Sequence, residues 1–140
     1  MRRSRANPTP TVKRFLTKAA AIKEVIGLER LVWEVAQDRD AESFRKLVPA
    51  DAIMIFQSGI MTQPLYLKTM KKRTISRYKL GKIRGSMPND STVILLYEAS
   101  RVGKEGKRKF PEGRVIESTI WVRRNNRWVA VLNQETPLSR

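Results

Sequence analysis

Apolar residues recur at three- and four-residue steps in the first third of the chain: Ala21, Val25, Leu28, Val32 and Val35. This spacing is typical of one face of an amphipathic helix, and it predicts a helix from Val12 to about Gln37. Charged residues occupy much of the rest of this segment: Glu24, Glu29, Arg30 and Glu34. We therefore expect these four side chains to lie on the polar side of the helix.

Two shorter helices are predicted by capping signals. Asp40 is a good N-cap for a helix over residues 41–48, which Pro49 ends. Thr62 can cap a third helix that has Pro64 in its first turn. Between these helices, residues 52–57 form a short apolar run bounded by Pro49 and Gly59, which predicts a buried strand followed by a turn.

The remainder of the chain predicts a meander of four antiparallel strands over residues 74–84, 92–102, 114–123 and 127–136. Residues 87–91 are the first turn, residues 103–113 a mobile basic loop, and Asn125-Asn126 a tight hairpin turn. Helices segregated to one side of a curved, mostly antiparallel sheet indicate an α+β fold.

One domain accounts for the length of 140 residues. We expect residues 1–12 to be a flexible basic arm, because Pro8 and Pro10 disfavour regular structure, and residues 13–140 to form the domain. No apolar run approaches the roughly 18–20 residues of a membrane span, and no apolar stretch typical of a secretory signal follows the first arginines. We therefore expect a cytoplasmic protein.

The sequence contains neither cysteine nor histidine. Disulfides, thiolate zinc sites, cysteine nucleophiles and histidine-dependent triads are therefore excluded. Any metal would need oxygen ligands alone, and no acidic cluster has the spacing of a calcium loop. We expect no metal site, no cofactor and no catalytic residue.

The charge is strongly positive, with 29 Lys and Arg against 13 Asp and Glu. Such a field attracts polyanions, so nucleic-acid or other polyanion binding is one hypothesis. Its candidate residues lie in the arm, in the basic segment after the third helix and in the basic loop: Arg2, Arg3, Arg5, Lys71, Lys72, Arg73, Lys107, Arg108 and Lys109. The alternative is a solvated basic face that only keeps the protein soluble.

Several motifs, in order, resemble the nuclear-transport-factor-2-like (NTF2-like) superfamily. Leu28–Trp33 and Asp40–Phe44 resemble its first two helices, and Thr62–Leu67 its third. Trp121, Trp128 and Gln134 resemble its closing hairpin. The branch most similar contains small domains of unknown function near the polyketide-cyclase-like proteins. The resemblance spans residues 22–136.

This resemblance implies a cone, a bent sheet wrapped over three helices, with a pocket at its wide end and frequent dimerisation through the outer sheet face. It does not imply one function, because the fold serves both enzymes and binding domains. The tyrosine of its ketosteroid isomerases and the histidines of its dehydratases are missing here. The Asp-Arg-Asp set of its epoxide hydrolases matches only the adjacent residues Asp38-Arg39-Asp40, which are better explained as a helix end.

We therefore expect a non-catalytic domain that binds a small molecule in an apolar pocket and forms a homodimer. The candidate pocket residues are Trp33, Phe56, Tyr97, Ser118 and Gln134. Trp121 and Trp128 lie on opposite sides of the closing hairpin, and one of them is a candidate contact with a dimer partner.

A third hypothesis is an isomerase or hydrolase that uses Glu98, Glu117 or Asp40 as its acid or base. Glu98 and Glu117 are instead expected at the surface, balanced by Arg101 and Arg114. An acidic side chain inside the pocket and within reach of a tyrosine would favour the enzyme.

Overall fold

The structure, a computed structural model, describes the backbone of residues 8–139 and the side chains of residues 18–139. Its three helices are α1 (Pro8–Gln37), α2 (Ala41–Leu47) and α3 (Gln63–Met70). The predicted caps are confirmed. Asp40 accepts a hydrogen bond from the Ser43 backbone N–H at 3.1 Å, and Thr62 accepts one from Leu65 at 3.4 Å.

Eight strands follow the first two helices in the described part of the chain: β1 (Ile53–Phe56), β2 (Gly59–Thr62), β3 (Arg73–Leu80), β4 (Arg84–Asn89), β5 (Thr92–Glu105), β6 (Arg108–Lys109), β7 (Arg114–Arg124) and β8 (Arg127–Pro137). They form one sheet in the order β2-β1-β8-β7-β5-β3, and β4 and β6 also pair with β5. Only the β1–β8 pair is parallel in this sheet of the described chain. The predicted α+β cone is confirmed, with the curled sheet wrapped over the helices.

The first helix and the first long strand differ from the prediction. Helix α1 begins at Pro8, so residues 8–12 of the predicted arm belong to it; proline is tolerated in the first turn, where its missing N–H has no helical partner. Residues 1–7 of the predicted arm lie outside the described residues. The predicted strand 74–84 ends early, as β3 at Leu80, and the chain resumes as β4, which continues to Asn89 through most of the predicted turn at residues 87–91.

The predicted basic loop is also more ordered than expected. Strand β5 continues to Glu105 and turns back at Gly106 (φ 61°) into β6, so the prediction of a mobile loop over residues 103–113 was wrong for this hairpin. The sequence analysis did not predict strand β2, which follows β1 after a two-residue turn and pairs with it. The Asn125-Asn126 turn is confirmed, and both residues have positive φ, 51° and 63°.

The core lies between the helices and the concave face of the sheet. Alternate residues of β5, from Val93 to Ala99, are buried, and alternate residues of β7, from Val115 to Trp121, are buried opposite them. Trp121 and Trp128 are both buried in the chain itself. In the part of the chain that the structure describes, no helix has the length and apolarity to cross a membrane.

Candidate functional site

A cavity of about 90 Å³ remains inside the cone, between the helices and the concave sheet face. Its walls are mainly aromatic and aliphatic, with Trp33 from α1, Phe44 from α2, Phe56 from β1 and Tyr66 from α3. Polar side chains interrupt this lining at its sheet side and at its opening: Glu29, Arg73, Arg101, Glu117, Thr119, Asn133 and Glu135. We call this space the inner cavity.

A second space of about 310 Å³, which we call the vestibule, adjoins the inner cavity. Five residues line both spaces: Phe56, Arg73, Arg101, Phe110 and Glu135. The vestibule is completed by the β1–β2 turn and by the β5–β6 hairpin, including Glu105, Arg108 and Lys109. These shared walls make the five residues the boundary between a buried interior and a charged entrance.

Glu29 lies on α1 and points into the cone, where it is 3% exposed. Its Oε2 accepts hydrogen bonds from the Tyr97 hydroxyl at 2.5 Å and the Thr119 hydroxyl at 2.8 Å. Its Oε1 accepts one from the Trp121 indole N–H at 2.7 Å. Helix α1 is thereby joined to the two central strands β5 and β7.

When Glu29 is ionised, the protons in this network have one arrangement. The Tyr97 hydroxyl oxygen accepts from the Trp33 indole N–H at 2.8 Å, so its own proton goes to Glu29. Thr119 Oγ1 accepts from Asn133 Nδ2 at 2.9 Å, so its proton also goes to Glu29. Trp121 can only donate. Burial raises the pKa of Glu29 above its usual range, and the three donated hydrogen bonds lower it by less; they satisfy the carboxylate when it ionises.

Glu117, on β7, is a second buried carboxyl of the inner cavity, at 2% exposure. Its Oε1 accepts a hydrogen bond from Asn133 Nδ2 at 3.0 Å, and its Oε2 is buried where no protein donor reaches it. Burial, followed by a side-chain hydrogen bond to Glu135 and by the charge of that carboxyl, raises the pKa of Glu117 well above its usual range. Burial thus favours the neutral form of both carboxyls, and Glu117 has fewer donors to offset it.

Two arginines lie at the entrance to the inner cavity. The Arg73 guanidinium lies over the rings of Phe110, Tyr66 and Phe56, at 4.9, 5.3 and 5.5 Å from their centroids. Its Nη1 bonds Glu105 at 2.9 Å, and its Nε is buried with no partner. Arg101 bonds Glu135 at 3.0 Å and the Pro111 carbonyl at 3.1 Å. Both cations are held rigidly at the boundary between the two spaces.

The candidate pocket residues fall into three positions. Trp33 and Phe56 line the inner cavity. Tyr97 is buried behind it, bonded to Trp33 and Glu29. Ser118 and Gln134 are register partners on β7 and β8; their sequence neighbours line the inner cavity, so these two side chains point to the outer face of the sheet. A ligand-binding role for any of the five stays a prediction.

The two glutamates expected at the surface, Glu98 and Glu117, lie in different environments. Glu98 is exposed on the outer face, where it bonds Arg114 at 2.6 Å, as expected. Glu117 was expected there too, and this was wrong: it pairs across from Tyr97, whose side is buried beneath the helices. Arg101 bonds Glu135 and not either of these residues. Asp38-Arg39-Asp40 forms the end of α1 and the cap of α2, with Arg39 at φ 56°.

The candidate polyanion residues belong to three stretches, two of which the structure describes. Arg2, Arg3 and Arg5 lie outside the described residues. Lys71 and Lys72 follow α3, and Lys107, Arg108 and Lys109 belong to the β5–β6 hairpin, all five exposed. Arg73 is turned inward to the entrance of the inner cavity and bonds Glu105.

Sequence reasoning missed Glu29, Asn133 and Glu135 as site residues. Glu29 was assigned to the polar side of α1, although it follows the buried positions Ala21 and Val25 at the same four-residue step. That step is the signal that could have found it, because an acid in an apolar stripe needs buried donors. Among side chains 18–139, no group of three or more acidic residues is placed to hold a metal ion.

No protein-family model matches the chain, and no curated protein matches it. Solved structures do. An NTF2-like protein from Cytophaga hutchinsonii has a TM-score of 0.77 at 15% identity, over 83% of this chain and 97% of that one. An NTF2-like protein of unknown function in nutrient uptake from Rhodospirillum rubrum has a TM-score of 0.75 at 15% identity, over 82% and 98%.

The association domain of C. elegans CaMKII is also similar, with a TM-score of 0.69 at 9% identity, over 86% of this chain and 98% of that one. At these identities the likeness concerns the fold, and it confirms the predicted NTF2-like fold. The finer resemblance to the polyketide-cyclase-like branch stays a prediction.

Proposed function

We propose that this NTF2-like domain binds a small molecule in the inner cavity, with part of the ligand in the vestibule. The observation that carries the proposal is the inner cavity itself, whose aromatic and aliphatic walls are interrupted by a few buried polar side chains such as Glu117 and Thr119. A cavity of this lining is the usual form of a small-molecule site, and it supports a ligand there.

The size of the space limits the ligand. A cavity of about 150 Å³ holds benzene, so an inner cavity of about 90 Å³ takes a group of only a few non-hydrogen atoms. The vestibule of about 310 Å³ has room for the rest. The ligand we propose is therefore small and polar at its inner end, in a pocket less apolar than the sequence predicted.

Catalysis is a second candidate, favoured by one observation: Glu29 lies inside the cavity wall and contacts Tyr97. Both groups, however, already form hydrogen bonds within the protein. Tyr97 has its proton on Glu29 and its oxygen on Trp33, so it has no proton left to donate to a substrate. This arrangement supports binding above catalysis.

The test compares two alanine-to-leucine variants of one helix. Ala36 lines the inner cavity and Ala20 is exposed, both on α1. We expect a library of small polar molecules, screened by thermal shift and native mass spectrometry, to include ligands of the unmodified protein and of Ala20→Leu but not of Ala36→Leu. Ala130→Leu, from the sheet wall of the same cavity, replaces Ala36→Leu if that variant unfolds. Ligands that bind all variants equally would overturn the proposal.

A homodimer through the outer sheet face is a further part of this proposal. Leu96 and Val102 on β5 are 49% and 47% exposed on that face, which no other element of the described chain covers. Paired outer faces would remove this apolar surface from water. Sedimentation equilibrium should give a dimer that Leu96→Lys dissociates, with Leu31→Lys, at an exposed leucine on α1, as control. A monomer at every concentration would rule it out.

Polyanion binding stays a prediction. Its two described stretches are neighbours in the sheet, since Thr74 pairs with Lys104, and Lys104 with Lys109. If binding is electrostatic, its affinity for single-stranded DNA should fall steeply between low and moderate salt. Affinity that barely changes with salt would contradict this hypothesis.

A further inference from the structure

A third space, of about 650 Å³, lies on the outer face of the sheet, and we call it the outer cleft. Its floor is β5 at residues 100–104, and its walls are β3 on one side and residues 109–114 on the other. The side chains of Ser100, Val102 and Lys104 project into it and away from the core, because alternate residues of a strand face opposite sides. The outer cleft is therefore separate from the interior of the cone.

Cations line the outer cleft, against a single acid among the described residues. The cations are Arg77, Arg101, Lys104, Lys109 and Arg114, and the acid is Glu112. Arg114 forms an ion pair with the exposed Glu98. Among the described side chains, Arg77, Lys104 and Lys109 form no ion pair. The protein does not balance the positive charge of this cleft itself, so the cleft complements an acidic partner.

The sheet register sets the spacing of the cations. Lys104 is the register partner of Lys109 on β6. Four residues earlier on β5, Ser100 has Lys79 of β3 and Arg114 of β7 as its partners. All four of these cations are exposed. Two cationic rows thus cross the outer face about 13 Å apart, since a strand rises about 3.4 Å per residue.

The floor between the two rows is apolar. Val102 lies there, 47% exposed, with Arg77 beside it on β3. An extended peptide that runs along β5 has the same rise per residue as the strand, and its residues i, i+2 and i+4 face the sheet together. Acidic side chains at i and i+4 then meet the two cationic rows, and an apolar side chain at i+2 covers Val102.

Two other occupants fit the outer cleft less well. Single-stranded nucleic acid stacks its bases on aromatic side chains, and Phe110, the aromatic residue that lines the cleft in the described chain, has its ring 4.9 Å from the Arg73 guanidinium. A second copy that brought its own outer face here would add the same cations, and like charges across an interface repel. The dimer proposed above is therefore expected to centre nearer Leu96.

We propose that the outer cleft binds an extended acidic segment of a partner protein, with acidic residues four positions apart and an apolar residue midway between them. The acidic residues lie at the row of Lys104 and at the row of Arg114, and the apolar residue lies on Val102. This interaction surface is independent of the small-molecule site, because its side chains project from the opposite face of the sheet.

The experiment compares three probes that each carry two negative charges, by NMR titration of the full chain labelled with ¹⁵N. The first is the end-capped peptide Thr-Glu-Thr-Val-Thr-Glu-Thr, whose spacing matches the two rows and whose threonines favour an extended backbone. The second, Thr-Thr-Val-Glu-Glu-Thr-Thr, has the same composition, but its adjacent glutamates point to opposite faces. The third is a thymidine trinucleotide. We expect the first peptide to bind at least about fivefold more tightly than either other probe and to shift the amide signals of residues 100–104.

Matched variants locate the contact. Lys104→Gln and Arg114→Gln each remove one exposed cation, from opposite ends of the cleft, and each should weaken the first peptide at least about threefold. Lys23→Gln removes one exposed cation from α1, outside the cleft, and should leave its affinity unchanged. All three positions are exposed, so the fold should tolerate each change.

Each other outcome contradicts the proposal in its own way. Equal affinity for the two peptides, or an equal loss in Lys23→Gln, would show attraction by the net charge alone. Tighter binding of the trinucleotide would assign the cleft to nucleic acid. A dimer that Lys104→Gln dissociates in sedimentation equilibrium would make a second copy the occupant. Binding of no probe would leave the cleft without the proposed partner, whereas the small-molecule site would stand or fall by its own screen.

Discussion

Glu29 and Glu117 are two buried glutamates on facing walls of one cavity, and their surroundings differ completely. Glu29 accepts three hydrogen bonds, from Tyr97, Thr119 and Trp121. Glu117 accepts one, from Asn133, and lies beside the Glu135 carboxyl, which raises its pKa. The same residue type therefore anchors the fold in one place and is a neutral acid facing a cavity in the other.

The difference shows that hydrogen-bond donors, and not burial alone, decide what a buried carboxyl does. Burial raises the pKa of both groups, but only Glu29 has enough donors to replace the water it lost. Glu29 is then part of the fold, joining α1 to the sheet. Ionisation of Glu117 lowers the free energy of unfolding, because its pKa is raised in the folded state. Buried groups with such a shifted pKa are typical of functional sites.

The largest effect is expected for Glu29→Gln. An amide has one acceptor oxygen and two N–H donors, so at least one of three obligate donors loses its acceptor in the core. We expect a loss of about 3 kcal/mol in the free energy of unfolding, measured by urea denaturation. Glu24→Gln on the same helix should cost almost nothing. Equal losses in the two variants would contradict the anchoring role.

Tyr97→Phe removes one hydroxyl from the Glu29 network without changing the ring. Glu29 then loses a donor, and the Trp33 N–H loses its acceptor. The expected loss is about 2 kcal/mol, by the same denaturation. The loss should shrink in the Glu29→Gln background, because neighbours in one network are not additive. Full additivity would mean that Tyr97 acts independently of Glu29.

Glu117→Gln should change stability in the opposite direction. The folded-state pKa of Glu117 lies above its ordinary value of 4.5, so the folded protein holds a proton that the unfolded chain releases. Stability from this group is present below about pH 4.5 and declines as pH rises toward the folded pKa. Glutamine does not titrate, and the variant should gain about 1 kcal/mol at pH 8 and nothing at pH 4. A loss at pH 8 would show that Glu117 is stabilised as an anion.

The smallest effect is expected at Glu98, an exposed glutamate on the outer face. Its ion pair with Arg114 is solvent-exposed on both sides, and such pairs contribute between zero and about 1 kcal/mol. Glu98→Gln should therefore shift the unfolding free energy by less than about 0.5 kcal/mol and leave ligand binding unchanged. A larger loss would mean that burial does not explain why the buried glutamates affect stability more than the exposed Glu98.

The fold could be predicted well from local signals. The caps Asp40 and Thr62 and the Asn125-Asn126 turn act within a few residues, and all three are present. The break at residues 81–83 was missed, because it depends on the curvature of the sheet around β5. Strand β2 was missed since it is a short partner of β1.

The site was less predictable because its contacts join distant parts of the chain. Glu29 meets Tyr97, Thr119 and Trp121 across separations of 68 to 92 residues. The side to which Glu117 points depends on the register of β5 against β7, which a strand with apolar residues on both faces does not specify. Trp33 and Phe56 were predictable as pocket walls since large aromatic residues favour the interior of such a cone.

The most direct test of the contrast between the two glutamates is a side-chain carboxyl titration by ¹³C NMR, with Glu117→Gln used to assign the signals. The structure predicts that burial raises the pKa of both groups above the ordinary value of 4.5, and that of Glu117 further, because fewer donors reach it. A Glu117 with an ordinary pKa, or a Glu29 that ionises after Glu117, would contradict this contrast between the two glutamates.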